Sequence, residues 1–129
     1  MIVIVVDSMT GLGKKFADKL GYPVFDIQSY QPDSTHDIFL ITRSVNLGEI
    51  TDQTSNFLHQ FSESVIGVAV SGNRSWGKTF GAAGDKIQLR YSIPLILKFE
   101  GLGFPHEVNL VKTWLSQRSQ KNEVHSAKR

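Results

Sequence analysis

The chain has 129 residues, 40% of them hydrophobic and 20% charged, a length and composition that suit a globular domain with a real core. It contains no cysteine, which excludes disulfides, thiolate metal sites and thiol redox chemistry within the chain. The formal net charge of +2 is uneven: residues 1–105 hold nine basic and ten acidic side chains, residues 106–129 five and two.

The predicted elements alternate. Residues 2–6, which open an apolar run ending at Asp7, read as a buried strand rather than a signal peptide, so a cytoplasmic protein is expected. A helix over 13–20 follows, with Phe16, Ala17 and Leu20 on one side. A weaker apolar run at 24–27 suits an edge strand, and 38–42 is a second buried strand. Thr51 is a plausible N-cap for a helix over 51–62, where Phe57, Leu58 and Phe61 recur at helical spacing. Residues 65–70 form another strand, 78–90 a helix with Phe80, Ala83 and Ile87 on one stripe, and 94–99 the last strand. Pro105 suits the first turn of a helix over 105–118, with Val108, Val111 and Leu115 as its apolar face. Short unbroken apolar strands separated by helices predict an α/β fold: a doubly wound parallel sheet with helices on both faces. The expected organisation is one domain over 1–120 and a flexible basic tail over 121–129. The basic residues near the C-terminus, Lys112, Arg118, Lys121, Lys128 and Arg129, lack aromatic interleaving, so no nucleic-acid partner is expected. No apolar run reaches bilayer length, and no membrane partner is expected.

In such sheets ligands bind at the C-terminal ends of the strands. The loop after the first strand, Asp7-Ser8-Met9-Thr10-Gly11-Leu12-Gly13, sets hydroxyls and glycines where backbone N–H groups converge. It is either a phosphate loop without a cation or an ordinary Ser/Thr/Gly turn. The loop after the 38–42 strand, with Arg43, Ser44, Val45, Asn46, Leu47 and Gly48, holds residues that tolerate positive φ at Asn46 and Gly48; it is either a ligand loop or a plain β-α connection. The loop after the 65–70 strand runs Ser71-Gly72-Asn73-Arg74-Ser75-Trp76-Gly77-Lys78-Thr79-Phe80. Its Gly72–Thr79 segment matches the triphosphate-binding pattern G-x-x-x-x-G-K-[ST] between a strand and a helix. Bulky Arg74 and Trp76 in the middle of the loop, and the lack of a magnesium-binding aspartate on the following strand, weigh against that reading. The competing reading makes Trp76 a stacking surface for a flat ring and Gly72 and Gly77 points of close backbone approach. Trp76 is otherwise a core or rim aromatic. His36, His59, His106 and His125 have no metal-ligand spacing and read as surface or cap residues.

Taken in order, D-S-M-T-G, T-x-x-x-N-x-G and V-x-V-S-G-N-x-x-W-G-x-x-F resemble the NrdI family, and Pro94–Glu100 resembles its last strand. The likeness runs over roughly residues 2–115. It implies a flavodoxin-like fold and bound FMN. It also implies service to class Ib ribonucleotide reductase, with reduced flavin supplying superoxide or peroxide to the dimanganese centre of the small subunit and so generating its tyrosyl radical. Such a protein is an accessory rather than a stand-alone enzyme, and its flavin reductant is open. The resemblance places Ser8, Met9, Thr10, Gly11, Leu12 and Gly13 at the phosphate. It places Ser44, Val45, Asn46, Leu47 and Gly48 on one side of the ring, with Ser71, Gly72, Asn73, Trp76, Gly77 and Phe80 on the other. Leu12 stands where the family usually has Asn, Leu47 where it has an aromatic, and Arg43 where an uncharged residue is expected. A general flavodoxin-type electron shuttle is the alternative function, with a nucleotide-binding loop at Gly72–Thr79 behind it. Arg43, Arg74 and Lys78 against Glu49 alone predict a net positive field at the flavin.

Overall fold

The computed structural model describes the backbone of residues 1–127 and the side chains of residues 1–119. The strands are β1 (Ile2–Val6), β2 (Val24–Asp26), β3 (Asp37–Val45), β4 (Glu49–Ile50), β5 (Val65–Ser71) and β6 (Leu95–Phe99). The helices are α1 (Leu12–Asp18), α2 (Asp52–Phe61), α3 (Ala82–Tyr91) and α4 (Pro105–Ala127). The sheet order is β2-β1-β3-β5-β6, all parallel, with the short β4 pairing antiparallel to β3. The chain starts one strand in from the edge, fills that edge with β2, then crosses back past β1 to β3. That reversal between β1 and β3 opens a crevice at the C-terminal strand ends.

Strand alternation divides the core into two layers. Ile2, Ile4 and Val6 of β1, with Phe39 and Ile41 of β3, face α1 and α4 through Phe16, Ala17, Val108, Val111 and Leu115. Val3 and Val5, with Ile38 and Leu40, face α2 and α3 through Phe57, Leu58, Ala83 and Ile87. Phe16 is fully buried and stacks on Phe99 with ring centroids 4.3 Å apart. Truncating it to alanine removes that stack and leaves a cavity, at a cost of about 3–5 kcal/mol. Thr51 caps α2 as the sequence predicts, its hydroxyl oxygen accepting the Thr54 N–H at 3.1 Å.

Four elements differ from expectation. The strand over 38–42 extends from Asp37 to Val45, so Arg43, Ser44 and Val45 belong to strand, not loop. The expected β-α connection is a hairpin: Asn46, Leu47 and Gly48 all have positive φ (46°, 61° and 117°), and the Gly48 N–H donates to the Val45 carbonyl at 3.0 Å. The helix expected over 78–90 begins only at Ala82, because Gly77 (φ 57°) and Gly81 (φ 62°) break the regular turn and leave a 3₁₀ segment over Arg74–Thr79. Finally, α4 runs past 118 to Ala127; the expected tail over 121–129 lies outside the residues whose side chains are described.

Candidate functional site

A cavity of about 580 Å³ opens at the C-terminal ends of β1, β3 and β5, within the size range of small-molecule sites. The first loop contributes Ser8, Met9, Thr10, Leu12 and Gly13 to its wall. The end of β3 contributes Arg43, Ser44, Val45 and Asn46, and the loop after β5 contributes Ser71, Gly72, Asn73 and Trp76. The three predicted segments therefore meet around one space. Gly11, Leu47, Gly48, Gly77 and Phe80, also predicted site residues, are not part of that wall. Gly11, at φ 84°, lets the loop turn into α1. Leu47 stands exposed at the hairpin tip, and a Cβ at Gly48 would lie 2.7 Å from that of Ala82, so Gly48 seats the hairpin on α3. Gly77 is the kink of the 3₁₀ segment, and Phe80 lies beneath the Arg74 guanidinium, 4.8 Å from ring centroid to Cζ.

The first loop is organised by its own hydroxyls. Ser8 Oγ accepts the Gly11 N–H at 3.1 Å, and Thr10 Oγ1 accepts the Leu12 N–H at 3.5 Å. A Cβ at Gly13 would lie in van der Waals contact with Ser8, at 3.4 Å, so the start of α1 packs directly on the loop. Hydroxyls and backbone N–H groups crowded around one turn make a donor set suited to an anion, and no Lys or Arg lies in residues 7–13.

Beneath this loop lies a polar network that the sequence did not reveal. Asp7 is buried at the end of β1. Its Oδ2 accepts the hydroxyls of Thr51 and Thr54, the latter at 2.9 Å, and Thr54 Oγ1 lies 2.7 Å from Thr42 Oγ1. Since Thr54 gives its proton to Asp7, Thr42 must donate to Thr54. Asp7 Oδ1 lies 3.5 Å from Arg43 Nε, which is buried and has no hydrogen-bond partner among the described residues. The network ties β1, β3 and α2 together under the cavity. Its members are far apart in sequence, and only the Thr51 cap had a local signal.

The loop after β5 is held from the other side. The Arg74 backbone N–H donates to Glu100 at 2.9 Å, and its guanidinium reaches Glu107 at 3.2 Å. The other oxygen of Glu107 accepts the Phe104 N–H at 2.8 Å and so closes the first turn of α4. Asn73 accepts the Ser75 N–H at 2.9 Å and stabilises the turn that brings Trp76 to the cavity. Lys78 is exposed and absent from the cavity wall, and α3 starts only at Ala82, so the lysine does not sit where a strand-loop-helix triphosphate site requires it.

Two corrections to the sequence reading follow. The expected net positive field is offset, since Arg43 faces Asp7 and Arg74 faces Glu107. His36 is neither a surface nor a cap residue: it is half-buried beside Phe25, and its Nδ1 lies 2.7 Å from the Tyr30 hydroxyl. One wall residue was missed, Gly101 in the loop after β6, at φ 60°. The general rule that ligands gather at strand C-termini applies to that strand as well and was the available signal.

The sequence model of the NrdI flavodoxin-like family matches residues 4–113. The chain belongs to the NrdI family. Protein NrdI of Bacillus licheniformis is 36% identical over 110 residues, covering 85% of this chain and 84% of that protein. Protein NrdI of Macrococcus caseolyticus is 35% identical over 107 residues, 83% of each chain. Among solved structures, Fusobacterium nucleatum flavodoxin bound to flavin mononucleotide superposes with a TM-score of 0.64 at 14% identity, covering 93% of this chain and 97% of that one. That likeness establishes the flavodoxin fold of this NrdI family member. Among the described residues no helix is long and apolar enough to cross a membrane.

Proposed function

We propose that this NrdI family member binds one FMN in the cavity between β1, β3 and β5 and serves as the redox accessory of a class Ib ribonucleotide reductase. The observation that carries the reading is the convergence of a hydroxyl- and glycine-rich loop, the end of β3 with Asn46 at the start of a positive-φ turn, and Trp76 on one cavity of about 580 Å³. The hydroxyls of Ser8 and Thr10, which accept the Gly11 and Leu12 N–H groups and so keep their own protons to donate, and the Gly13 N–H would take the phosphate. Asn46 would present backbone to one edge of the ring, and Trp76 an aromatic face, with Asn73 and Gly72 along the polar edge. Bound there, the cofactor supplies one- and two-electron transfer to O2, giving superoxide or peroxide for the dimanganese centre of the reductase small subunit. The chain's part is to hold the cofactor, orient it and leave one edge open to that subunit. The source of electrons is a separate flavin reductant in the cytoplasm.

The test has two stages. The purified chain, mixed with FMN, should quench flavin fluorescence at a one-to-one ratio and acquire a structured absorbance near 450 nm. Reduced holoprotein, added with O2 to the manganese-loaded small subunit, should then generate a tyrosyl radical signal that peroxide alone does not produce. A chain that leaves FMN fluorescence unchanged would sink the first stage. Holoprotein that binds flavin but yields no radical would leave an electron shuttle instead.

A further inference from the structure

The proposed cofactor carries a phosphate, but the loop assigned to it contains no cation, and Leu12 adds no polar side chain. The first-loop residue that precedes Ser8 is Asp7, a buried carboxylate, which by itself repels a phosphate placed on that loop. Resting on the FMN reading, we propose that Arg43 is the phosphate-recognising cation of this chain, supplied from β3 rather than from the loop, and that it sets the preference for a phosphorylated flavin over an unphosphorylated one.

Three observations carry this. Arg43 shares the cavity wall with Ser8, Thr10 and Gly13. Thr42 bonds to Thr54 of α2, and Ser44 accepts the Ala83 N–H of α3 at 3.1 Å, so Arg43 between them leaves β3 on the opposite face, and its Nε reaches Asp7 at the end of β1. Its position there is fixed by charge. The Nε lies 3.5 Å from Asp7 Oδ1, while the terminal guanidinium nitrogens make no hydrogen bond to any described residue. A guanidinium held beside Asp7 by charge alone, with its buried Nε and its outer nitrogens all unspent on the described residues, is arranged to donate two parallel hydrogen bonds to an oxyanion. The same charge screens Asp7 from that anion. Lys14, the nearest other cation in sequence, lines a second cavity of about 300 Å³ together with Ser8, Thr10 and Gly11 of the same loop, but it is absent from the wall shared by β3 and Trp76 and pairs with Asp18 at 3.2 Å.

The experiment compares FMN with riboflavin, which lacks the phosphate, as ligands of the full chain, of Arg43→Gln and of Arg43→Lys, by fluorescence quenching at two salt concentrations. Arg43→Gln should lose about tenfold to a hundredfold in FMN affinity and less than about twofold for riboflavin, the size expected for charge-assisted hydrogen bonds. Arg43→Lys should recover much of the FMN affinity, and the salt dependence of FMN binding should fall in the glutamine variant. Because Arg43→Gln leaves Asp7 buried without its cation, the double variant Asp7→Asn/Arg43→Gln, which removes both charges, checks the result against misfolding. It should still discriminate poorly between the two flavins. Equal losses for both flavins, or none, would overturn the inference while leaving the FMN reading intact. A parent chain that takes neither flavin would remove the reading and the inference together.

Discussion

Thr54→Val isolates the network beneath the cavity. Thr54 is fully buried, and valine matches its shape, so the substitution removes a hydroxyl without opening a void. Two hydrogen bonds go with it: the one donated to the Asp7 carboxylate at 2.9 Å and the one accepted from Thr42 at 2.7 Å. The first is charge-assisted and contributes about 1.5–3 kcal/mol. The second contributes about 1 kcal/mol, and its loss leaves the buried Thr42 hydroxyl without a partner. Together the expected destabilisation is about 2–4 kcal/mol, a large share of a typical total of about 5–15 kcal/mol. Urea unfolding of the apoprotein measures it, as a drop in midpoint at constant slope. Thr51 still holds Asp7, so the fold should survive at low denaturant. A loss under about 0.5 kcal/mol would refute the reasoning, since an exposed or water-linked hydroxyl would give that value. The variant should also weaken FMN binding, because Asp7 positions Arg43.

Three further outcomes follow from the geometry. Ser8→Ala combined with Thr10→Ala should weaken FMN binding by about 2–3 kcal/mol in a fluorescence titration, with Ser8 the larger contributor because it is half-buried and Thr10 exposed; unchanged binding would place the phosphate elsewhere. Lys78→Ala should leave FMN affinity within about tenfold of the parent, as expected for an exposed rim charge, and neither protein should bind magnesium-ATP; ATP binding lost in the variant would reinstate the triphosphate reading. The Asp33 carboxyl is held below the ordinary carboxylate range by the N–H and then the hydroxyl of Thr35, at 2.8 and 2.7 Å. A group with a depressed folded pKa contributes stability that is present above its unfolded pKa and lost as pH falls through the folded one. An NMR titration should therefore show Asp33 among the last carboxyls to protonate on acidification, and Asp33→Asn should flatten a small part of the acid limb.

The layers were legible because each apolar run has the length and period of its element. Ile2 to Val6 is buried on both faces, as an unbroken run in a parallel strand must be, and Phe57 and Leu58 sit on the buried stripe of α2. The site was legible as three segments, because Ser, Thr, Gly and Asn cluster where strand ends require turns. What escaped were pairings at long range. Ser44 looks like a loop residue, yet it is a strand residue whose hydroxyl is satisfied by α3, and Thr42, at the end of the expected strand, gives no sign that its hydroxyl is satisfied by α2. Leu47 gives no sign of a left-handed turn; the hairpin imposes it. The start of α3 was misplaced because Phe80 keeps helical spacing with Ala83 and Ile87, while the two flanking left-handed glycines decide the break.

The charge at the cavity shows how such pairings alter function. Counted along the sequence, three cations face one glutamate, and a single unopposed cation about 8 Å from a flavin would stabilise its reduced, anionic form by about 2 kcal/mol at an effective dielectric near 20. In the structure Arg43 is opposed by Asp7 at 3.5 Å, so a ring 8 Å beyond Arg43 feels a dipole. The difference between the two Coulomb contributions falls to about 0.6 kcal/mol, or roughly 25 mV for one electron. Removing both charges in Asp7→Asn/Arg43→Gln should therefore shift the flavin midpoint potential by no more than about 30 mV, measured by reductive titration against reference dyes. A shift near 90 mV would mean that an unpaired cation faces the ring, and that Arg43 acts on flavin electronics rather than through the phosphate. A small shift combined with lost discrimination between FMN and riboflavin would assign the pair to cofactor selection. The potential would then be set by the ring's own surroundings, the Asn46–Gly48 turn and Trp76.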